Sequence, residues 1–111
     1  MNFEMSTNIA VQTTEPEKAI EFYTSVLGFN DRSAETDFGG LEANPFRIFV
    51  QNEKRISGPV LELFVDNLEV AKQHLVENGC TVICWEGLGK DCYIKDPFGL
   101  TFNIWQKLPS K

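Results

Sequence analysis

His74 is the only imidazole in the chain, and Cys80, Cys84 and Cys92 are its only thiols. A two-histidine, one-carboxylate iron centre needs two imidazoles, so one copy of this chain cannot supply it. The cysteines have neither a CxxC spacing nor a histidine beside them. Although Cys80 and Cys84 fall four apart in a predicted strand, and hence on one face, the three read as small apolar core residues rather than as zinc thiolates. Gly87-Leu88-Gly89-Lys90 has the glycines and lysine of a phosphate loop but precedes a strand instead of a helix, which makes it a turn. What remains is stacking and hydrogen bonding. Phe49, Phe64, Trp85 and Trp105 can stack on a flat ligand, and the amides of Asn8, Gln12, Gln51 and Asn103 can orient it. Glu62 favours a cation there, while Arg47 can clamp a carboxylate or pair with Glu62. Glu62 is also the weak candidate for a catalytic acid or base. Tyr93 joins it only if strand parity turns its ring inward.

These residues need a scaffold, and a repeat at an offset of 52 residues supplies its plan. Asn44-Pro45-Phe46 returns as Asp96-Pro97-Phe98, and Ala19 returns as Ala71. A repeat of this length reads as a unit that buries its apolar face against another copy, with the cleft between copies as the expected site. Each unit reads as strand, helix, then three strands. In the first, 8–12 alternates as a strand, Thr14-Glu15-Pro16-Glu17 carries a capping-box signal, and Ala19, Ile20, Phe22, Tyr23, Val26 and Leu27 keep helical spacing as far as Gly28. In the second, 59–65 is the strand, the cap lies in Asp66-Asn67-Leu68-Glu69, the stripe is Leu68, Ala71, Leu75 and Val76, and Gly79 is the stop. The remaining strands are expected near 29–36, 38–43 and 46–52, then 80–86, 91–95 and 100–106. Glycines at 39, 40, 87 and 89 mark turns or bulges.

Strand parity separates two faces. Ile9, Val11, Ile48, Val50, Leu61, Leu63, Val65, Leu100, Phe102 and Ile104 share one parity and are expected under the helices. The opposite parity mixes polar and aromatic residues: Asn8, Ala10, Gln12; Arg47, Phe49, Gln51; Val60, Glu62, Phe64; Thr101, Asn103, Trp105. That mixture suits a pocket.

At 111 residues and 42% hydrophobic content, the chain is one folded domain, residues 1–111, with module one at about 5–53 and module two at about 58–107. Its formal charge of −6 argues against nucleic acid and anionic membranes as partners. No stretch approaches a membrane span or a secretory leader. A cytoplasmic protein is expected, and unpaired cysteines agree with that.

Phe22-Tyr23, Val26-Leu27-Gly28-Phe29 and Asp96-Pro97-Phe98-Gly99, together with the whole stretch 8–29, resemble the vicinal oxygen chelate superfamily of glyoxalase I, extradiol dioxygenases and fosfomycin- and bleomycin-resistance proteins. The resemblance implies an α+β fold of two tandem βαβββ modules, paired into an open barrel around a cleft, and a homodimer. It also implies a divalent metal held at the first and last strand of each module, which here are Asn8, Gln51, Val60 and Asn103. None is a histidine or carboxylate, so the reading is no metal and no other cofactor. His74 aligns with Phe22 and belongs to a helix surface. The function expected is metal-free small-molecule binding of the bleomycin-resistance type, an antibiotic-resistance role in which an aromatic compound is sequestered and the acidic balance favours positive charge. The alternative is a superfamily enzyme with a non-standard or metal-free site built on Glu62. Whether modules pair within one chain or swap between two is open, because the connection 52–58 suits both.

Overall fold

A computed structural model describes residues 2–32 and 40–107. The strand–helix–three-strand plan occurs twice. Its elements are β1 (Glu4–Thr13), α1 (Pro16–Glu21), β2 (Asn30–Asp31), β3 (Leu41–Ala43) and β4 (Phe46–Asn52), then β5 (Gly58–Val65), α2 (Leu68–Glu77), β6 (Thr81–Trp85), β7 (Cys92–Lys95) and β8 (Thr101–Gln106). The fold is α+β, and the chain forms two compact units. Thr7–Val60 is one; the other runs from Leu61 onward and takes in the N-terminal end of β1.

In the first unit the strands lie in the order β2-β3-β4-β1. β1 and β4 are parallel, with Asn8 beside Arg47, Ala10 beside Phe49 and Gln12 beside Gln51. β3 runs antiparallel to β4 and places Glu42 opposite Arg47. β1 is longer than the expected 8–12, and its pairing with β4 carries it to Thr13, opposite Asn52. That extra length moves the helix start. Glu15, not Thr14, is the N-cap, and it makes no side-chain cap hydrogen bond. Thr13 Oγ1 instead accepts from Glu15 N at 3.0 Å. The predicted helix to Gly28 also changes character after Glu21, where Phe22–Val26 forms a single π-helical turn. Thr24 is the local cause, since its hydroxyl donates to the carbonyls of Ile20 (2.9 Å) and Glu21 (3.2 Å) and competes for acceptors of the regular ladder. Phe22, Val26 and Leu27 are consequently exposed rather than set on the sheet as their spacing suggested. Of the expected strand 29–36 only Asn30–Asp31 pairs, and 33–36 lies among the residues outside the description.

The second unit has the order β5-β8-β7-β6 and a denser core. Leu63, Val65, Leu68, Ala71, Cys92, Ile94 and Ile104 form it, with Phe3, Leu75, Cys80, Val82, Trp85 and Phe102 packed against it. Asn67 caps α2 by accepting from Val70 N at 2.9 Å, the kind of cap worth about 1 kcal/mol. Gly79 at φ +96° ends the α2 segment, and a Cβ there would come within 3.1 Å of Pro97 Cγ. Leu68 and Ala71 are buried as the stripe predicts, while Val76 is exposed. A β-bulge between Val82 and Cys84 interrupts β6. The extra residue reverses the alternation beyond it, so Val82 and Trp85 both face the helix side, opposite Ile94 and Cys92. Asp96 holds the turn into β8, its Oδ1 accepting from the backbone N–H of Phe98 (2.8 Å) and Leu100 (2.9 Å).

Candidate functional site

The mixed-parity face of the first unit is a set of rows running across its strands. One row joins Asn30, Glu42, Arg47 and Asn8 through successive strand pairs. Glu42 is held by two neighbours: Arg32 Nε donates to its Oε2 at 3.0 Å and Asn44 Nδ2 to its Oε1 at 3.5 Å. The half-buried Arg47 side chain makes no hydrogen bond or ion pair among the described residues. The next row holds Ala10 and Phe49, and beside it Gly40, at φ +89°, lies under both side chains. A Cβ there would come within 3.0 Å of Arg47 Cγ and of Phe49 Cε1, so glycine lets these side chains lie on the backbone. The third row is closed by a hydrogen bond from Gln12 Nε2 to Gln51 Oε1 at 2.6 Å. Gln12 is buried and Gln51 exposed.

In the second unit, Phe64 and Trp105 come together as the wall of an open pocket of about 410 Å³, completed by Gln106 and Lys107. The indole N–H of Trp105 has no hydrogen-bond partner among the described residues, which leaves it available to an acceptor. Glu62 is half-buried. Asn103 pairs with Tyr93 across β7–β8, which settles the orientation the alternation left open: Tyr93 is buried and lies on the Asn103 face.

Trp85 does not join this group. Its Nε1 donates to Glu69 Oε2 at 2.9 Å, and Lys72 Nζ sits 5.2 Å from its ring centre, so it is tied to α2. The bulge at 82–84 is the reason. The same bulge separates Cys80, which packs on the core, from Cys84, whose Sγ meets Glu86 Oε2 at 3.4 Å. The expected common face therefore does not exist. Burial pushes the thiols of Cys80 and Cys92 above their ordinary range, which makes them poor nucleophiles and poor thiolate donors. His74 is exposed on α2 and stacks on Phe3, with ring centres 6.1 Å apart.

The donor set at the metal positions does not fit a divalent transition metal. Val60 has no donor atom and is buried. Gln51 Oε1 accepts from Gln12, and Asn103 Oδ1 accepts from Cys92 N at 3.0 Å. These amide oxygens are already engaged and are weak ligands in any case. Among the described residues no group of three His, Cys, Asp or Glu side chains converges.

Sequence reasoning passed over a second cavity, of about 250 Å³, in the first unit. Ile20 of α1 and Leu41, Ile48 and Val50 of the sheet line it, with Asp31 and Gly40 at its side. Its signal is the π-helical turn, which shortens the stretch of regular helix covering β4.

A model of the glyoxalase-like domain matches residues 8–105. The sequence matches no curated protein. Among solved structures, the hypothetical protein BH1468 of Bacillus halodurans C-125 is 15% identical with a TM-score of 0.62, over 100% of this chain and 99% of that one. A member of the glyoxalase/bleomycin resistance protein/dioxygenase superfamily from Vibrio splendidus 12B01 is 15% identical with a TM-score of 0.58, over 96% of this chain and 100% of that one. Both likenesses are of fold. With the family match spanning almost the whole chain and the βαβββ plan present twice, the chain belongs to the glyoxalase-like domain family of the vicinal oxygen chelate superfamily.

Proposed function

We propose that this protein binds a small aromatic molecule without the metal its superfamily uses and without chemical conversion. The observation that carries the reading is the aromatic wall of Phe64 and Trp105, with an indole N–H still to be satisfied. Arg47 and Phe49 form a comparable polar–aromatic pair in the first unit. Stacking contributes apolar burial together with about 0.5–1.5 kcal/mol per aromatic pair. Asn8, Gln12, Gln51 and Asn103 border these surfaces as amide positions, and all four also make interactions within the protein, so their first role is to hold the walls in place. The enzyme alternative rests on Glu62 alone.

Melting of chelator-treated, tag-free protein with and without Ni²⁺, Zn²⁺, Mn²⁺ and Fe²⁺ tests the metal-free part. A metal at about 100 times its dissociation constant adds roughly 2.7 kcal/mol, which raises melting in a domain of this size by roughly 10 °C. No shift is expected with any of the four. A shift of that size with one of them overturns the reading.

A further inference from the structure

We propose that the ligand carries a carboxylate and that Arg47 is its anchor; this deepens, and rests on, the small-molecule-binding reading. Arg47 is half-buried, and its guanidinium has no partner among the described residues. The carboxylate nearest in register, Glu42, sits directly opposite it but is committed to Arg32 and Asn44. Among the described residues of this row and its edge, Arg32 and Arg47 face one glutamate, Glu42, a local positive balance in a chain whose formal charge is −6. A cation at this place is repelled by Arg47, which reverses the charge preference that overall composition suggests.

Geometry narrows the anion. The stem of Arg47 lies over Gly40, where a Cβ would come within 3.0 Å of its Cγ, so the contact limits the stem's freedom before any ligand arrives. A guanidinium held this way presents a planar fork of N–H donors, which suits the two oxygens of a carboxylate. A Cβ at Gly40 would likewise come within 3.0 Å of Phe49 Cε1, so the Phe49 ring and the stem of Arg47 lie over the same glycine. A flat apolar body attached to the carboxylate would rest on that ring.

The test uses three probes on the whole chain: 1-naphthoate, its neutral analogue 1-naphthamide, and inorganic phosphate. Each is titrated while the Arg47 Nε–Hε and Phe49 ring resonances are followed by NMR. Naphthoate is expected to shift both saturably and to bind roughly ten-fold or more tighter than naphthamide, the size of a charge-assisted hydrogen bond. Arg47→Gln is expected to remove that ratio, weakening naphthoate much more than naphthamide. Arg47→Lys, which keeps the charge and loses the fork, should retain only part of it. Equal binding of naphthoate and naphthamide, with the ratio unmoved in Arg47→Gln, overturns the carboxylate and leaves the binding reading standing. Phosphate binding as tightly as naphthoate also overturns it, since the ring then contributes nothing. If no probe moves any resonance of Arg47, Phe49, Phe64 or Trp105 at millimolar concentration, both readings fall.

Discussion

Glu53 follows β4, and its carboxylate accepts from the backbone N–H of Lys54 and of Arg55 at 2.9 Å and from Arg55 Nε (3.0 Å) and Nη2 (2.7 Å). The Arg55 side chain is the largest cause, and together these bonds lower the Glu53 carboxyl from 4.5 to about 2. A carboxyl depressed in the fold adds stability that is complete above its unfolded value and disappears as pH falls through the folded one. The window here therefore runs from about 4.5 down to about 2. In an NMR titration the Glu53 carboxyl should have its midpoint near the lower end, and Arg55→Gln should return it toward 4.5; an unmoved midpoint would show that the guanidinium does not hold it. Residue types alone could not reveal where each polar atom is spent. Asn103 reads as a ligand position, yet its Oδ1 faces the Cys92 N–H, a choice made by strand register. Arg47 reads either as a carboxylate clamp or as a partner for Glu62, and the Arg32–Glu42 pair at 3.0 Å leaves its side chain without a partner among the described residues.

At the scale of elements, the two departures from simple periodicity have identifiable causes. Strand β6 keeps its expected span but gains a bulge, and a single inserted residue sends everything after it to the other face. Trp85 illustrates the consequence, because alternation alone does not give its face and a bulge has no clear signature without a glycine. Helix α1 starts at Pro16, one residue later than the Thr14 cap signal implies, and its second half, where the Thr24 hydroxyl bonds back to Ile20 O, is a π-helical turn. The tryptophans provide a test. Trp85→Phe removes a bond to the Glu69 carboxylate and weakens the contact with Lys72, and should cost about 1–2 kcal/mol in urea unfolding. Trp105→Phe removes an indole without a hydrogen-bond partner among the described residues and should cost less, while weakening the binding of an aromatic ligand. The reverse order would mean that Trp85 belongs to the open face and Trp105 to the packed one.

For the molecule as a whole, the repeat predicts the order of elements in both units but not equality of their packing. Helix α2 is a regular helix of ten residues with Leu68 and Ala71 buried, whereas α1 has six residues and buries none. The second unit closes over Ile94 and Ile104 with no exposure. The first retains a cavity of about 250 Å³ against Ile48 and Val50. An offset of 52 residues carries hydrophobic pattern, and pattern decides which face is apolar; how tightly that face is covered depends on individual events such as the Thr24 hydroxyl. Unequal packing implies unequal local stability, since opening free energies follow buried apolar contact. Ile104→Ala should cost about 2–5 kcal/mol, the range for a fully buried aliphatic residue. Ile48→Ala, beside a cavity that already exists, should fall at or below the lower end of that range. Native-state hydrogen exchange should likewise find the amides of β7 and β8 protected to the global limit, and those of β3 and β4 exchanging through smaller openings. Equal protection in the two units, or Ile48→Ala as costly as Ile104→Ala, would mean that the first unit is as well packed as the second and that its cavity is not a site of local opening.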